Sequence, residues 1–398
     1  AVTPVGIGVE NYWNNITAGA SGIDTIKTFD PSELAVQIAG EVKDFNPSDY
    51  LPKDLIRKTD PFMQYAYIAA EEAMKQSAIK IEPERTGIVM GTAMAGIATI
   101  AYTQEALTGA SHKKVGPRFI PKILGNIAAA NIAIDYNIQG PSFTVSTACS
   151  SGGDAINTAC MCMQSGKADI MLAVGAESVL CPLVIYSLAN AKALSRRNDS
   201  PSTASRPFDV TRDGFVIGEG GGALVLETEE HALARGAKIY AEIRGCGNTD
   251  DAYHVTAPHP EGRGAIACMK QAIAEAGINP SDIGYINAHG TATNKGDTVE
   301  TSSIKKVFGN TLPYVSSTKG ATGHMMGAGG ITETITCVKA IETGTVPPTI
   351  NLNEVDPECA GIDFVANTAK KAEINFAMSN AFGFGGQNSS IIVGKYGK

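Results

Sequence analysis

Short apolar, β-branched segments alternate with helical patterns along the chain, and this alternation most constrains what the chain can fold into. Residues 86–90 and 170–174 have the pattern of buried strands, while residues 62–76 have apolar side chains at the spacing of one helix face. Strands that alternate with helices build sheets covered by helices, because each sheet must bury its apolar faces. The pattern therefore predicts a layered α/β fold.

The chain is long enough for two structural units. Its 398 residues correspond to about two domains at ~100–200 residues each. The halves resemble each other weakly, since in each a helix pattern precedes an apolar strand that ends in small residues. We place the boundary in the charged segment 229–236, which gives an N-terminal half over 1–235 and a C-terminal half over 236–398. Residues 223–227 and 239–245, on either side of this segment, are predicted to pair as strands.

Composition and charge exclude several classes of protein. The net charge of −8 argues against bulk nucleic-acid binding, and the apolar runs are shorter than the ~18–20 residues of a membrane span. The start has no signal-peptide pattern. The 8 Cys and 6 His are scattered, with no C-x-x-C pair, so we expect a cytoplasmic protein without a structural zinc site.

Cys149 lies in the strongest local signal, V-S-T-A-C-S-S-G-G-D-A-I over residues 145–156. A β-branched strand leads into small residues and then into a helix pattern. A Cys at this position lies at the positive end of the helix dipole, where free N–H groups stabilise a thiolate and a neighbouring oxyanion. The alternative is that Cys149 is a buried small apolar residue.

Three further segments carry polar residues at predicted strand ends. His289 follows the strand 283–287, and Lys319 and His324 lie in a glycine-rich loop after 314–316. Ligand crevices of open α/β sheets lie at such ends, although a single His there is more often structural. The fourth segment, 379–388, places two aromatics among glycines, which suits a mobile gate over an apolar pocket.

Taken together, these motifs resemble those of the β-ketoacyl-acyl carrier protein synthases of the KAS II type, which have the thiolase-like fold. The matching segments, in chain order, are T-A-C-S-S-G (147–152), N-A-H-G-T-x-T (287–293), S-S-T-K-x-x-x-G-H-x-x-G-A-G-G (316–330) and F-G-F-G-G (382–386). The similarity covers essentially all of the chain. It implies a duplicated fold with α/β/α/β/α layers and a decarboxylative Claisen condensation that uses no metal or organic cofactor.

The resemblance also implies roles for the site residues. Cys149 is the nucleophile that holds the acyl chain, and the backbone N–H groups of Cys149 and Phe384 form the oxyanion hole. His289 and His324 donate hydrogen bonds to the malonyl thioester carbonyl. Lys319 supports His324 and the local charge, and Glu333 pairs with this lysine. Other implied positions are the pocket and gate residues Met94, Phe119, Ala148, Leu188, Phe382, Gly383 and Gly385, and also Asp297 and Glu300, for which loop capping or solvent exposure is an equal alternative.

The implied partners are acyl carrier protein in its acyl and malonyl forms and a second ketosynthase-like chain, in a homodimer or a heterodimer. Carrier docking is expected at basic pairs, because the carrier is acidic. These pairs are Arg57 with Lys58, Lys113 with Lys114, and Arg196 with Arg197. Family members carry about a dozen residues before Thr3, including a first strand, so the sheet is expected to be short there and the chain trimmed.

Several alternatives remain open. Gln387 stands where many fatty-acid synthases have Thr, and the T-A-C-S-S segment is common in polyketide ketosynthases, so the pathway is either fatty-acid elongation or type II polyketide synthesis. A degradative thiolase is disfavoured because the last glycine-rich turn has no Cys. A non-catalytic chain-length factor is disfavoured because the nucleophile is retained. A Cys-His hydrolase is disfavoured because no orienting Asn or Asp is evident.

Overall fold

Two six-stranded sheets and the helices around them form the framework of the protein. The computed structural model describes residues 1–109 and 115–398. The strands and helices of the first half are β1 (Val2–Thr3), β2 (Gly6–Ile7), α1 (Val9–Thr17), β3 (Asp24–Thr25), β4 (Ile38–Ala39), α2 (Lys53–Lys58), α3 (Pro61–Ser77), β5 (Thr86–Gly91), α4 (Ile97–Thr108), α5 (Phe119–Ile123), α6 (Asn126–Tyr136), β6 (Ser142–Val145), α7 (Ser151–Gln164), β7 (Ile170–Glu177), α8 (Pro182–Asn190), β8 (Gly220–Glu227) and α9 (Glu229–Ala234). Those of the second half are β9 (Glu242–Asp250), α10 (Arg263–Ala276), β10 (Ile283–Asn287), α11 (Asn294–Phe308), β11 (Tyr314–Ser316), α12 (Lys319–Thr322), α13 (Gly329–Thr343), β12 (Thr345–Val346), β13 (Asp363–Phe364), β14 (Lys370–Lys371), β15 (Phe376–Phe382) and β16 (Gln387–Gly394).

The two large sheets repeat one strand order. The first sheet runs β2-β1-β8-β7-β5-β6 and the second runs β13-β11-β10-β15-β16-β9. In the first, β5 is parallel to both β6 and β7, and β8 is antiparallel to β7. In the second, β10 is parallel to both β11 and β15, and β16 is antiparallel to β15. This repetition confirms the predicted duplicated α/β architecture, whereas the boundary after residue 235 stays a prediction.

Helices α7 and α13 lie between the sheets and pack against each other. Helix α7 contacts β5 and β7 of the first sheet and β16 of the second, while α13 contacts β8 and β15. Helices α3 and α6 cover the outer face of the first sheet, and α10, with α11 beside it, covers that of the second. The layers are therefore α/β/α/β/α, as predicted.

The central helices approach closely because glycines lie where they meet. A Cβ added to Gly330 of α13 would lie 2.4 Å from the backbone nitrogen of Gly153 on α7. Strands β5 and β7 are buried at every residue, which explains why their sequences are continuously apolar rather than alternating. Close packing of these layers fixes the loops at the strand ends, where the candidate site lies.

The predicted pairing of segments 223–227 and 239–245 is wrong. Strand β8 pairs with β7 in the first sheet, whereas β9 pairs with β16 in the second. The connection through α9 carries the chain from one sheet to the other, so neighbours in sequence become edges of different layers. Each strand gains an eight-position antiparallel ladder within its own sheet.

The edge of the first sheet beside β8 is short, as expected. Strand β1 pairs with β8 only at Val2 and Gly221, while β9 pairs with β16 along its length. A cavity of about 740 Å³ runs along β8 and is lined in part by Leu224 and Leu226.

No helix in the described part of the chain combines the length and apolarity that a membrane span requires.

Candidate active site

Cys149 lies on a strand-to-helix elbow, as the local sequence predicts. Strand β6 ends at Val145, one 3₁₀ turn spans Ala148–Ser150, and α7 begins at Ser151. Ala148 has the left-handed φ of 51°, which turns the chain sharply before the cysteine. The Ser151 hydroxyl oxygen accepts the N–H of Thr147 at 2.9 Å and closes the turn. Cys149 is consequently held at the start of the helix and is buried.

The other site segments follow three neighbouring strands of the second sheet. Strands β11, β10 and β15 are mutually parallel, and Asn287 of β10 is in register with Ser316 of β11 and Ser379 of β15. Because parallel strands present their carboxyl ends at one edge, the segments after them meet there. These segments carry His289, Lys319 and His324, and the glycine-rich loop after β15.

The structure brings the cysteine and the two histidines together. The Nε2 atom of His324 lies 3.0 Å from the Sγ atom of Cys149. The rings of His289 and His324 are 5.3 Å apart between centroids and nearly perpendicular, at 87°. The His324 N–H donates to the Val216 carbonyl at 2.7 Å, and its own carbonyl accepts from Gly218 at 2.8 Å. The backbone of His324 is thereby fixed in front of the sulfur.

The backbone N–H of Phe384 lies close enough to the Cys149 sulfur to lower the pKa of the thiol. The loop that carries it turns at Gly385 and Gly386, which both have positive φ, and the Gly383 N–H donates to the Gln387 carbonyl at 2.7 Å. A Cβ on Gly383 would lie 2.6 Å from the Thr147 carbonyl oxygen, so only glycine permits this approach. The Phe384 side chain is exposed, and the ring of Phe382 lies 5.8 Å from that of His289.

Lys319 and Glu333 form a buried ion pair behind the histidines. The Lys319 Nζ atom contacts the Glu333 Oε1 atom, and both side chains are almost fully buried. Burial raises the pKa of Glu333, and the positive charge of Lys319 acts in the opposite direction. The pair matches the predicted partnership, and it places one compensated positive charge beside two imidazoles.

The electrostatics favour neutral groups around the sulfur. Burial, and then the charge of Lys319, hold the pKa of both His289 and His324 well below the usual 6.5. Burial raises the pKa of the Cys149 thiol to about 11, although the Phe384 N–H and Lys319 oppose this shift. The resting pair is therefore a thiol and a neutral imidazole, and His324 Nε2 is placed to accept the thiol proton.

Two acidic residues of α11, Asp297 and Glu300, are buried rather than solvated. The Glu300 carboxylate accepts the N–H groups of His289 at 2.8 Å and Gly290 at 2.7 Å. The Asp297 carboxylate accepts the Phe208 N–H at 2.8 Å and lies 3.4 Å from the Arg212 guanidinium. Both carboxylates cap loop backbone, and Glu300 holds the backbone of His289 directly.

The predicted pocket residues divide into two groups. Met94, Ala148 and Leu188 belong to one apolar cluster with Cys149, whereas Phe119, at the start of α5, is half-buried and lies outside that cluster. Sequence reasoning missed Phe215, whose ring packs edge-on against His324 at 5.3 Å. It also missed Glu177, whose buried carboxylate accepts backbone N–H groups from both the Met94 loop and the turn after His324. An acidic residue that ends a wholly buried strand was the available signal for Glu177.

The predicted docking residues differ in their exposure and in the contacts that their side chains make. Arg57 and Lys58 are exposed, and both pair with Asp54 on the same helix turn. Arg197 is half-buried and donates to the Thr211 carbonyl at 2.6 Å. Lys113 and Lys114 lie outside the described residues.

Over residues 1–109 and 115–398, no three His, Cys, Asp or Glu side chains cluster as metal ligands.

The paired sheets, the buried central helices and the Cys149–His324–His289 cluster define a protein of the thiolase-like class. The family model for the β-ketoacyl synthase N-terminal domain matches residues 1–232, and that for the C-terminal domain matches residues 240–353. The chain belongs to the β-ketoacyl synthase family.

Individual relatives agree with this assignment over the whole length. The 3-oxoacyl-acyl-carrier-protein synthase 2 of Coxiella burnetii is 44% identical, with 99% of this chain and 96% of the relative covered. Among solved structures, the ishigamide ketosynthase/chain length factor superposes with a TM-score of 0.91 at 34% identity, covering 100% of this chain and 97% of that one. A type II polyketide acyl-carrier protein in complex with its ketosynthase bound to the hexaketide gives a TM-score of 0.88 at 33% identity, covering 99% and 96%.

Proposed function

We propose that the chain condenses an acyl group held on Cys149 with malonyl-acyl carrier protein, releasing CO₂ and forming β-ketoacyl-acyl carrier protein in fatty-acid elongation. One observation carries the proposal: the Cys149 sulfur lies 3.0 Å from His324 Nε2, and the His289 ring faces that of His324. A thiol and two neutral imidazoles at one buried point match the two halves of this reaction. The name 3-oxoacyl-acyl-carrier-protein synthase 2, carried by full-length relatives, gives independent support.

The first half-reaction transfers the acyl group to the enzyme. The Cys149 sulfur attacks the thioester carbonyl of the acyl carrier while its proton passes to His324 Nε2. The tetrahedral oxyanion accepts hydrogen bonds from the backbone N–H groups of Cys149 and Phe384. When the intermediate collapses, the carrier thiol leaves with the proton, and acyl-Cys149 remains.

The second half-reaction makes the carbon–carbon bond. The malonyl thioester carbonyl accepts hydrogen bonds from the ring N–H groups of His289 and His324, which stabilise the enolate formed when CO₂ departs. The enolate carbon attacks the acyl-Cys149 carbonyl, and the Cys149 thiolate leaves and takes up a proton from solvent, which replaces the one that left with the carrier thiol. The malonyl carboxylate supplies the electron pair, so the proposed chemistry uses no metal or organic cofactor.

Lys319 supports the second step through charge rather than proton transfer. Its ammonium lowers the pKa of both imidazoles, and Glu333 keeps it in place. A neutral imidazole accepts a proton in the first step and, in its other tautomer, donates a hydrogen bond in the second. Each such donor contributes roughly 2.7–4 kcal/mol to the transition state, so several donors account for much of the acceleration.

The proposed partners are acyl carrier protein and a second chain of the same fold. Solved relatives include a ketosynthase with its acyl-carrier protein and a ketosynthase with its chain length factor. The edge strand β6 exposes Phe143, and exposed Ile134, Leu183 and Tyr186 also lie in the first half. An open strand edge with apolar side chains is suited to covering by a second chain, either an identical copy or a related subunit.

The ketosynthase subunit of a type II polyketide synthase is the second candidate. It is favoured by the type II polyketide ketosynthase among the structural relatives, which is 33% identical over 99% of this chain. Both candidates share the condensation step and differ in the substrates that they accept over successive rounds.

The test of the proposal is product analysis with the purified protein. Acyl carrier proteins loaded with a series of saturated acyl groups and malonyl-carrier protein are supplied, and products are identified by mass spectrometry. Fatty-acid elongation predicts a β-ketoacyl product two carbons longer than each accepted donor. Unreduced poly-β-keto products would favour the polyketide candidate, and absence of any condensation product with either a homodimer or an added partner subunit would refute the proposal.

Reversing the charge of Arg57 and Lys58 to Glu raises the KM for carrier-borne substrates by roughly 10-fold, with kcat little changed. Exposed charges each contribute up to ~1 kcal/mol, and here two attractive contacts become repulsive ones. Steady-state kinetics at low ionic strength measure the effect. Lys27→Glu is the matched control, because Lys27 is at least as exposed as Arg57 and Lys58 and also pairs with an aspartate three residues away. An unchanged KM in the double variant would remove these residues from the docking surface.

A further inference from the structure

Asp154 is a buried carboxylate in the first turns of α7 that no part of the proposed reaction uses. Its Oδ2 atom accepts the hydroxyl of Thr147 and lies 3.0 Å from the hydroxyl of Ser150. Its Oδ1 atom accepts the side-chain amide of Asn248 at 2.6 Å. Thr147 and Ser150 stand on either side of the nucleophile in the chain. One carboxylate therefore holds both ends of the turn that carries Cys149.

Asn248 connects this turn to the second half of the protein. It lies on β9 and pairs with Ser389 of β16, the strand that follows the loop carrying the Phe384 N–H. Helix α7 approaches the same strand closely, since a Cβ on Gly153 would lie 2.4 Å from the Ser389 hydroxyl. The sulfur and the Phe384 N–H come from different halves of the chain, so their relative position depends on contacts that cross between the halves.

We propose that Asp154 is a positioning residue that fixes the Cys149 turn against the strand pair β9–β16, and so sets the Cys149 sulfur relative to the Phe384 N–H and His324. This inference rests on the proposed function, because it assigns Asp154 to the acyl-transfer step.

The chemistry of the group fits this role. The Thr147 hydroxyl and the Asn248 amide each donate to a different oxygen of the Asp154 carboxylate, so the ionised form satisfies both contacts; the Ser150 hydroxyl lies within reach of Asp154 Oδ2 and also of the Thr147 carbonyl oxygen at 2.8 Å. Burial raises the pKa of Asp154, while the hydroxyl and amide donors oppose that shift. A carboxylate 4% exposed is costly to bury, and the hydrogen bonds that offset this cost all converge on the nucleophile turn and its anchor.

The experiment compares Asp154→Ala, Asp154→Asn and Thr147→Val with Thr147→Ser as the conservative variant. Single-turnover transfer of an acyl group from acyl carrier protein to Cys149 is followed by mass spectrometry, with kcat and KM for condensation measured in parallel. Small displacements at a nucleophile cost up to ~10²-fold, so Asp154→Ala slows acylation by roughly 10- to 100-fold with KM little changed. Asp154→Asn, which keeps one acceptor oxygen, is less affected. Thr147→Val loses only the hydroxyl and is slowed, whereas Thr147→Ser recovers most of the rate.

A second arm needs no acyl substrate. Alkylation of Cys149 by iodoacetamide at neutral pH slows by roughly 10-fold in Asp154→Ala and Thr147→Val. The reason is that the turn is no longer fixed, so the Cys149 sulfur is not held facing His324 Nε2. If no acyl transfer occurs in the unmodified protein, the proposed function fails, and the alkylation ratio still decides the role of Asp154. Equal alkylation rates in all variants would overturn the inference, as would equal effects of Thr147→Val and Thr147→Ser. If Asp154→Ala does not fold, the Thr147 pair alone gives the decision.

Discussion

Replacing Cys149 with Ala abolishes condensation and leaves no acyl group attached to the enzyme. The sulfur is the only atom of this side chain that can form the thioester, and the neighbouring His324 Nε2 at 3.0 Å has no other thiol within hydrogen-bond distance among the described residues. Removal of a catalytic nucleophile typically costs on the order of 10⁴-fold or more in kcat. Release of CO₂ from malonyl-carrier protein persists, because the histidines that stabilise the enolate are intact.

Mass spectrometry of the protein after incubation with acyl carrier substrate measures the adduct directly. Cys181→Ala is the matched control, since Cys181 is fully buried in the same apolar cluster as Cys149. That variant keeps the acyl adduct on Cys149. An adduct on another cysteine, or none on the unmodified protein, would contradict the assignment. The Cys149→Ala change removes one sulfur from a buried site, so the cooperative unfolding transition is retained with a modest loss of stability.

The fold class could be predicted from the sequence, and so could the convergence of the loops that carry the site residues. Both have a physical reason. Strand and helix patterns are local, and the parallel arrangement of β10, β11 and β15 brings their following loops to one edge. His289, Lys319 and His324 therefore meet wherever those strands align. The family assignment made from the ordered motifs is also confirmed. The predicted pairing of β8 with β9 was wrong because the local sequence does not indicate which of the two sheets a strand joins.

The hydrogen-bond partners of the supporting carboxylates could not be predicted from the sequence, for a related reason. The amide that binds Asp154 lies 94 residues away, and the N–H groups that bind Glu177 come from two separate loops. No local pattern signals such partners.

The pKa of the Cys149 thiol could not be predicted from its place at a helix start. The helix end and the Phe384 N–H favour a thiolate, yet burial dominates and raises the thiol pKa to about 11. The sequence shows that a helix begins after Cys149, but not that the sulfur is shielded from water. The consequence is functional, because a mostly protonated thiol needs the base that His324 Nε2 provides.

Replacing either His289 or His324 with Ala slows CO₂ release from malonyl-carrier protein by roughly 10²- to 10³-fold, the typical loss for one oxyanion donor. Both rings must be neutral to donate one N–H each without a net charge. Burial and the Lys319 charge hold their pKa values well below 6.5, so they stay neutral as the pH falls through that value. The acid limb of the decarboxylation rate caused by these groups therefore lies below pH 6.5.

Release of ¹⁴CO₂ from labelled malonyl-carrier protein measures this step without condensation, and acylation of Cys149 measures the other half-reaction. His324→Ala impairs both, because Nε2 also faces the sulfur, whereas His289→Ala impairs decarboxylation alone. His231→Ala is the control, since that ring lies on α9 and pairs with Glu227. Undiminished CO₂ release from both site variants would refute the paired-donor role. Equal acylation defects in the two variants would mean that His289 also takes part in acyl transfer. That result would contradict the assignment of this step to His324, whose Nε2 atom lies next to the sulfur.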